Sequence, residues 1–295
     1  GVTILTLNSL TANTTYTIQA RSVNGNNAVS GSVTAGSTGT YARAPGVNSF
    51  DQVNISSISV SWTANGNPLM PSTSYQVQVS TNNNFADPVS SSETFTLTGS
   101  TLTLQPNTSY YFRTAAYQRF GGKSDYNSAI ATFTQAVSPG VVSYVVNRSS
   151  ISVTLAANGN PVGTSIAIST GSFETGTSSV GVQGGGNSTL VLSNLNQNTS
   201  YTVKARAVSF TNLASSQTVA ATTTTLTTGV TVTWYKVYTT SASVSLGANG
   251  NPDGTQIFVS TGTDSYFNVA LSSIGKISGT NTPLVIFGLS TNTAY

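Results

Sequence analysis

The chain runs to 295 residues with a formal net charge of +3, and only 6% of its residues are charged. It holds no cysteine and no histidine, which excludes disulfides, thiolate metal sites, iron–sulfur clusters and any Ser–His–Asp triad. Its 38% hydrophobic content with so little charge is not the composition of a disordered chain, and its ten Lys and Arg form no basic run of the kind that meets nucleic-acid phosphates or anionic lipid.

Two short strings divide the chain before any element is assigned. ANGNP occurs at 64–68, 157–161 and 248–252, and N-T-(T/S/A)-Y ends at Tyr16, Tyr110, Tyr201 and Tyr295. The tyrosines are 94, 91 and 94 residues apart and the ANGNP strings 93 and 91. Two independent markers with one period indicate a tandem array. The expected division is residues 1–44, the last strands of a sandwich only; 45–137 and 138–227, two whole repeats; and 228–295, the earlier strands of another.

Taken in order, the elements of 45–137 are all β. Ile58, Val60 and Trp62 alternate with Ser57, Ser59 and Ser61, the pattern of a half-buried strand. ANGNP follows as a connection, because Asn-Gly favours positive φ and Pro68 cannot continue a central strand. Tyr75, Val77 and Val79 alternate with Gln76 and Gln78; Phe95 with Leu97 and Leu102 with Leu104 suggest two short strands. Tyr110, Phe112 and Ala115 lie on a long strand reaching about 118, Gly121-Gly122 turns the chain, and Ala129, Ala131 and Phe133 close the repeat. Residues 138–227 repeat the plan through Ile151/Val153/Leu155, Ile166/Ile168, Val180/Val182, Leu190/Leu192 and Tyr201/Val203/Ala205/Ala207. Residues 228–295 show Val244/Leu246, Ile257/Val259 and Leu284/Ile286. About seven short strands per repeat with no helix between them imply antiparallel sheets covering each other's apolar faces, an all-β Greek-key immunoglobulin-like sandwich.

Trp62, the Tyr75-x-Val77-x-Val79 strand and the Leu104-x-Pro106-Asn107-Thr108-x-Tyr110-x-Phe112-Arg113 segment resemble bacterial fibronectin type III repeats. The resemblance implies tandem sandwiches in which Tyr16, Tyr110, Tyr201 and Tyr295 are structural tyrosine corners opening a strand. Leu155 and Leu246 stand where that family keeps its tryptophan, so those cores are expected to be repacked, and no Arg-Gly-Asp tripeptide is present.

Chemistry is sparse. The acidic residues are Asp51, Asp87, Glu93, Asp125, Glu174, Asp253 and Asp264, scattered along the chain with no evident pair. Asp125 with Asn127 and Asp253 with Asn251 are the calcium candidates, each with one carboxylate where calcium wants several. Gly184-Gly185-Gly186 has no Lys-Ser/Thr after it and is expected to be a hairpin loop rather than a phosphate cradle. Asn13, Asn54, Asn107, Asn147, Asn187 and Asn198 open Asn-x-Ser/Thr sequons, possible glycosylation sites against the backbone role of asparagine in a turn. Two aromatic groups, Tyr117/Phe120/Tyr126 and Trp234/Tyr235/Tyr238, are read as core or inter-repeat packing ahead of a contact with another chain or a sugar platform. On alternation, Trp234 and Tyr238 share one face and Tyr235 takes the other.

The expectation is a non-catalytic structural repeat protein, extracellular or at the cell surface, in a filament, coat or stalk, with no cofactor and with copies of itself as partners. The alternatives are an adhesin stalk and the accessory region of a secreted polysaccharide-degrading enzyme. The outer parts, 1–44 and 228–295, are expected either to belong to a longer protein or to complete each other between copies, with Gln19 and Arg21 on a strand lacking its usual sheet neighbours.

Overall fold

A computed structural model describes residues 4–118, 121–261 and 272–295. Phe120 and Asp264 lie outside the described residues. Every regular element described is a β-strand. The chain separates into two compact units: Gly1–Val137 with Gly159–Thr164 and Val208–Ser215, and Ser138–Asn158 with Ser165–Ala207 and Ser216–Tyr295.

In the first unit, β1 (Thr15–Ala20) pairs antiparallel with β2 (Val33–Gly39) as a two-stranded sheet. Gln19 lies on β1 as expected, whereas Arg21 falls just past its end. A full sandwich follows. β3 (Ser49–Val53), β4 (Ile58–Ser61) and β7 (Thr98–Thr101) form one sheet in the order β3-β4-β7. β5 (Tyr75–Ser80), β6 (Ser90–Thr94), β8 (Ser109–Ala116) and β9 (Ile130–Phe133) form the other in the order β6-β5-β8-β9. The alternation read from the sequence places the core: Ile58, Val60 and Trp62 at the end of β4 meet Tyr75, Val77 and Val79 of β5 and Tyr110 and Phe112 of β8. Each such side chain taken out of water stabilises the fold by about 1.5–3 kcal/mol.

The second unit carries β10 (Gly140–Val146), β11 (Ile151–Ala156) and β14 (Ser188–Leu192) in the order β10-β11-β14. Facing strands are β12 (Ser165–Ser169), β13 (Ser178–Val182), β15 (Ser200–Val208) and β16 (Thr218–Thr224), in the order β13-β12-β15-β16. Ile151, Val153, Leu155, Ile166, Ile168, Leu192, Val203, Ala205 and Ala207 are wholly buried. The order then begins again: β17 (Thr231–Val237), β18 (Ser241–Gly247) and β21 (Asn281–Phe287) pair as β17-β18-β21, and β19 (Gln256–Ser260) pairs with β20 (Ser272–Lys276). Leu246, Ile257, Ile277 and Leu284 form their core. The opening strand of each repeat carries a bulge at the same step, Phe50/Gln52, Val141/Ser143 and Val232/Trp234.

The two short strands and the phase of the closing strand need correction, whereas Val180 and Val182 do lie on a strand, β13. Phe95 and Leu102 do not mark strands but sit exposed beside them, and the strands themselves are the Ser- and Thr-rich β6 and β7. Hydroxyl side chains satisfy a solvent-facing edge, so apolar residues there mislead. In β9 it is Ile130 that packs on the core while Ala131 is exposed, opposite to the expected phase. Val180 and Val182 of β13 face outward at 68% and 66% exposure. Between them Gly181 faces inward, and a Cβ there would stand 2.7 Å from Leu190 Cδ2.

Candidate functional site

The recurring strings build recurring geometry. In each N-T-x-Y the asparagine takes a left-handed φ, 50° at Asn13, 46° at Asn107, 44° at Asn198 and 55° at Asn292. That reverses the chain and folds the tyrosine back over it. A backbone N–H five residues upstream then donates to the phenolic oxygen. The pairs are Thr11 to Tyr16 at 2.9 Å, Gln105 to Tyr110 at 2.9 Å, Asn196 to Tyr201 at 3.0 Å and Ser290 to Tyr295 at 2.7 Å. Tyr110 is buried, Tyr16 and Tyr201 are half-buried and Tyr295 is exposed. The hydrogen bonds from Ser290 hold the Tyr295 phenol below its usual range.

ANGNP is more than a turn. Asn65, Asn158 and Asn249 sit at φ 52°, 53° and 50°, followed by Gly66, Gly159 and Gly250 at 81°, 92° and 83°. The first asparagine donates its amide to a carbonyl in the segment entering the repeat: Ala44, Ser138 and Gly229, at 2.8, 2.9 and 2.7 Å. The second asparagine grips one residue of that segment by both backbone groups. Asn67 binds the N–H and C=O of Arg43, Asn160 those of Val137 and Asn251 those of Thr228. All three gripping asparagines are buried.

The sequon asparagines divide by their surroundings. Asn107 is completely buried and Asn13 is 1% exposed, so the folded chain leaves no room for a glycan at either. Asn198 is half-buried, and its Nδ2 donates to Thr255 Oγ1 at 2.8 Å. Within the first unit Asn13 donates to Thr73 Oγ1 at 3.0 Å and Asn107 to Thr164 Oγ1 at 2.8 Å. Asn54 is half-buried with its amide on Ser57 Oγ, whereas Asn147 and Asn187 are exposed. The three threonines carry no signal of their own in a Thr-rich sequence, although their 91-residue spacing is that of the other markers.

Neither calcium candidate is arranged for an ion. Asn127 Oδ1 accepts the Thr114 N–H at 2.7 Å, and its Nδ2 donates to the Gly46 carbonyl and Asn48 Oδ1. The Asn251 oxygen is spent on the Thr228 N–H, while Asp253 Oδ1 takes the Gly279 N–H at 2.9 Å. Among the described residues no three acidic side chains gather. Asp87 and Asp125 are exposed, Asp51 accepts from Ser61, Glu93 meets Ser74, and Glu174 lies 3.7 Å from Arg206. The Gly184–Gly186 segment joins β13 to β14, strands of different sheets, so it is a crossing loop and not a hairpin.

The aromatic groups part ways. Tyr126 stacks on the Arg113 guanidinium at 4.0 Å, Phe85 covers the other contact at 4.1 Å, and Lys123 Nζ donates to the Tyr126 hydroxyl. This cation–π ladder is packing on the outer face of β8. Trp234, Tyr235 and Tyr238 are not packed away as expected: they are 50%, 72% and 50% exposed. Among the described residues β17 is an edge strand paired only with β18, and it is exposed along its whole length.

Residues 43–133 match the family model "Fibronectin type III domain". No curated protein sequence matches the chain. Among solved structures, a two-domain fibronectin type III segment of chicken tenascin is similar at 17% identity, covering 61% of this chain and 99% of that one, with a TM-score of 0.43. The FN1–FN3 domains of chicken CNTN1 are similar at 16% identity over 85% and 90% of the two chains, TM-score 0.30. The FN5 domain of Drosophila Lar is similar at 26% identity over 32% and 96%, TM-score 0.25. Residues 43–133 are thus similar to fibronectin type III domains, and because β10–β16 repeat the strand order of β3–β9, the chain carries tandem β-sandwiches of one topology.

Proposed function

We propose that this chain is a non-catalytic structural repeat protein, extracellular or at a cell surface, forming part of a filament, coat or stalk with copies of itself as partners. The observation that carries the reading is the recurrence of one mechanical element: every ANGNP turn grips the segment that enters its repeat through the same two asparagines. Binding and catalytic modules concentrate special residues in one place. Here the special residues are distributed once per repeat, at the points where load would pass. A chain in which only 6% of residues are charged also offers little repulsion when copies lie side by side. Electron microscopy of native material with a label on this chain is the test. Ordered polymers carrying the label are expected, and a label found only on a dispersed hydrolase or on an isolated adhesin would overturn the assignment.

A further inference from the structure

The corner asparagines do something that the corner itself does not require. A left-handed residue is needed there, and glycine supplies it as readily as asparagine. Asn292 meets that need with its side chain exposed. At Asn13, Asn107 and Asn198 the side chain is instead spent on the repeat that follows. Each Nδ2 donates to a threonine of that repeat, Thr73, Thr164 or Thr255. Thr164 and Thr255 end a Pro-x-x-Thr turn, and their hydroxyls donate onward to the Pro161 and Pro252 carbonyls, both at 2.7 Å. Their oxygens are thereby oriented as acceptors, and the bonds run in one direction from amide to hydroxyl to carbonyl. The connection between the last two strands of the following repeat supplies a second contact. Asn13 Nδ2 donates to the Tyr117 carbonyl at 3.1 Å, and Asn107 Oδ1 accepts the Phe210 N–H at 2.8 Å. Thr73, Thr164 and Asn107 have no exposed surface, and a buried amide or hydroxyl is costly unless its partner stays in place.

We propose that the corner asparagine is a latch between consecutive repeats. The corner turn of one repeat is an interaction surface whose partner is the threonine-bearing turn of the next, Thr73, Thr164 or Thr255, and the bond between them holds the pair in one orientation. The proposal stands whether or not the chain polymerises.

The test uses the joint within the second unit. The chain has no cysteine, so Ser178→Cys and Lys276→Cys in the full chain accept nitroxide labels at two exposed positions only. Double electron–electron resonance then reads the distance distribution across the Asn198–Thr255 joint. A single narrow distribution is expected. Asn198→Gly keeps the left-handed backbone but removes the amide, and should widen it about twofold or more as further orientations become populated. Thr255→Val, which keeps the shape and removes the acceptor, should do the same. Tyr201→Phe loosens the corner and leaves the latch, so its distribution should stay narrow. A broad distribution in the chain without latch substitutions overturns the proposal, as does a narrow one in both latch variants.

Discussion

The β3–β9 and β10–β16 sandwiches share one strand order and fill it in opposite ways. In the first, Trp62 crosses the core and tilts against Tyr75 with ring centroids 5.6 Å apart. Opposite Val60, at the step next to Trp62, β7 carries Gly99, where a Cβ would stand 3.4 Å from Trp62 Cη2 and 3.0 Å from Val77 Cγ2. In the second, Leu155 takes the tryptophan position, Leu190 faces Val153 where Gly99 faced Val60, and Gly181 makes room for Leu190. The β17–β21 half repeats the second solution with Leu246, Leu284 and Gly275. Volume is conserved across the layer while its owner moves from one strand to another. Core packing is therefore negotiated between strands, and no single position defines the repeat.

The largest expected effect strikes at the anchor of the aromatic core. Trp62→Ala should cost about 3–5 kcal/mol. Hydrogen-exchange mass spectrometry should show protection lost in peptides of the β3–β9 sandwich and retained in those of β10–β16. Equal loss in both would mean that the two cores do not melt independently.

The exchange of volume gives the next test. Gly99→Leu beside Trp62 should overpack the layer and cost about 1–3 kcal/mol. The same change beside Trp62→Leu should be much less costly, because the pair reproduces the Leu155–Leu190 arrangement. A double-mutant cycle on urea midpoints reads the coupling, and strictly additive losses would refute the shared-volume account.

Smaller effects separate the tyrosines. Tyr110→Phe and Tyr201→Phe each remove the acceptor of a backbone N–H and should cost about 1 kcal/mol. Tyr75→Phe should be neutral, within about 0.5 kcal/mol, since among the described residues the buried Tyr75 hydroxyl meets no hydrogen-bond partner. Ranking the three by chemical denaturation would expose a corner bond that does not stabilise.

The smallest effect is a pH slope. Burial raises the Tyr75 phenol above its ordinary 10.0. Above that value the unfolded chain has lost a proton that the folded chain still holds, so stability is intact below it and falls as pH rises through the folded pKa. Tyr75→Phe should flatten that part of the alkaline loss in urea midpoints taken on either side of about pH 10; an unchanged slope would place the titration elsewhere.

Much of this architecture was legible in the residues. Ile58/Val60/Trp62 and Ile151/Val153/Leu155 alternate because one face of each strand is buried, and the Asn-Gly pairs signal positive φ directly. What was not legible has physical causes. β6 carries no apolar face to read. Val180 and Val182 announce a strand, but their direction depends on Leu190, which no local pattern shows. At the candidate site the tyrosine corner came with the family resemblance carried by the Leu104–Arg113 segment, and its bond lies within that segment, spanning five residues. Thr73, Thr164 and Thr255 were not, because their bonds to the corner asparagines span 60, 57 and 57 residues.

The asparagine–threonine bond also bears on how such a chain can change in length. Each whole repeat carries the threonine that receives its predecessor and the asparagine that engages its successor, as with Thr73 and Asn107, then Thr164 and Asn198. Duplicating or deleting one full period brings a compatible corner to a compatible turn with no new residue required. The asparagine–threonine separation is 60 residues at one joint and 57 at the other two, so small length changes in the loops between them leave the bond intact. The repeat is thus a unit of inheritance as well as of folding, and lengths of such chains that differ by whole repeats keep every joint intact.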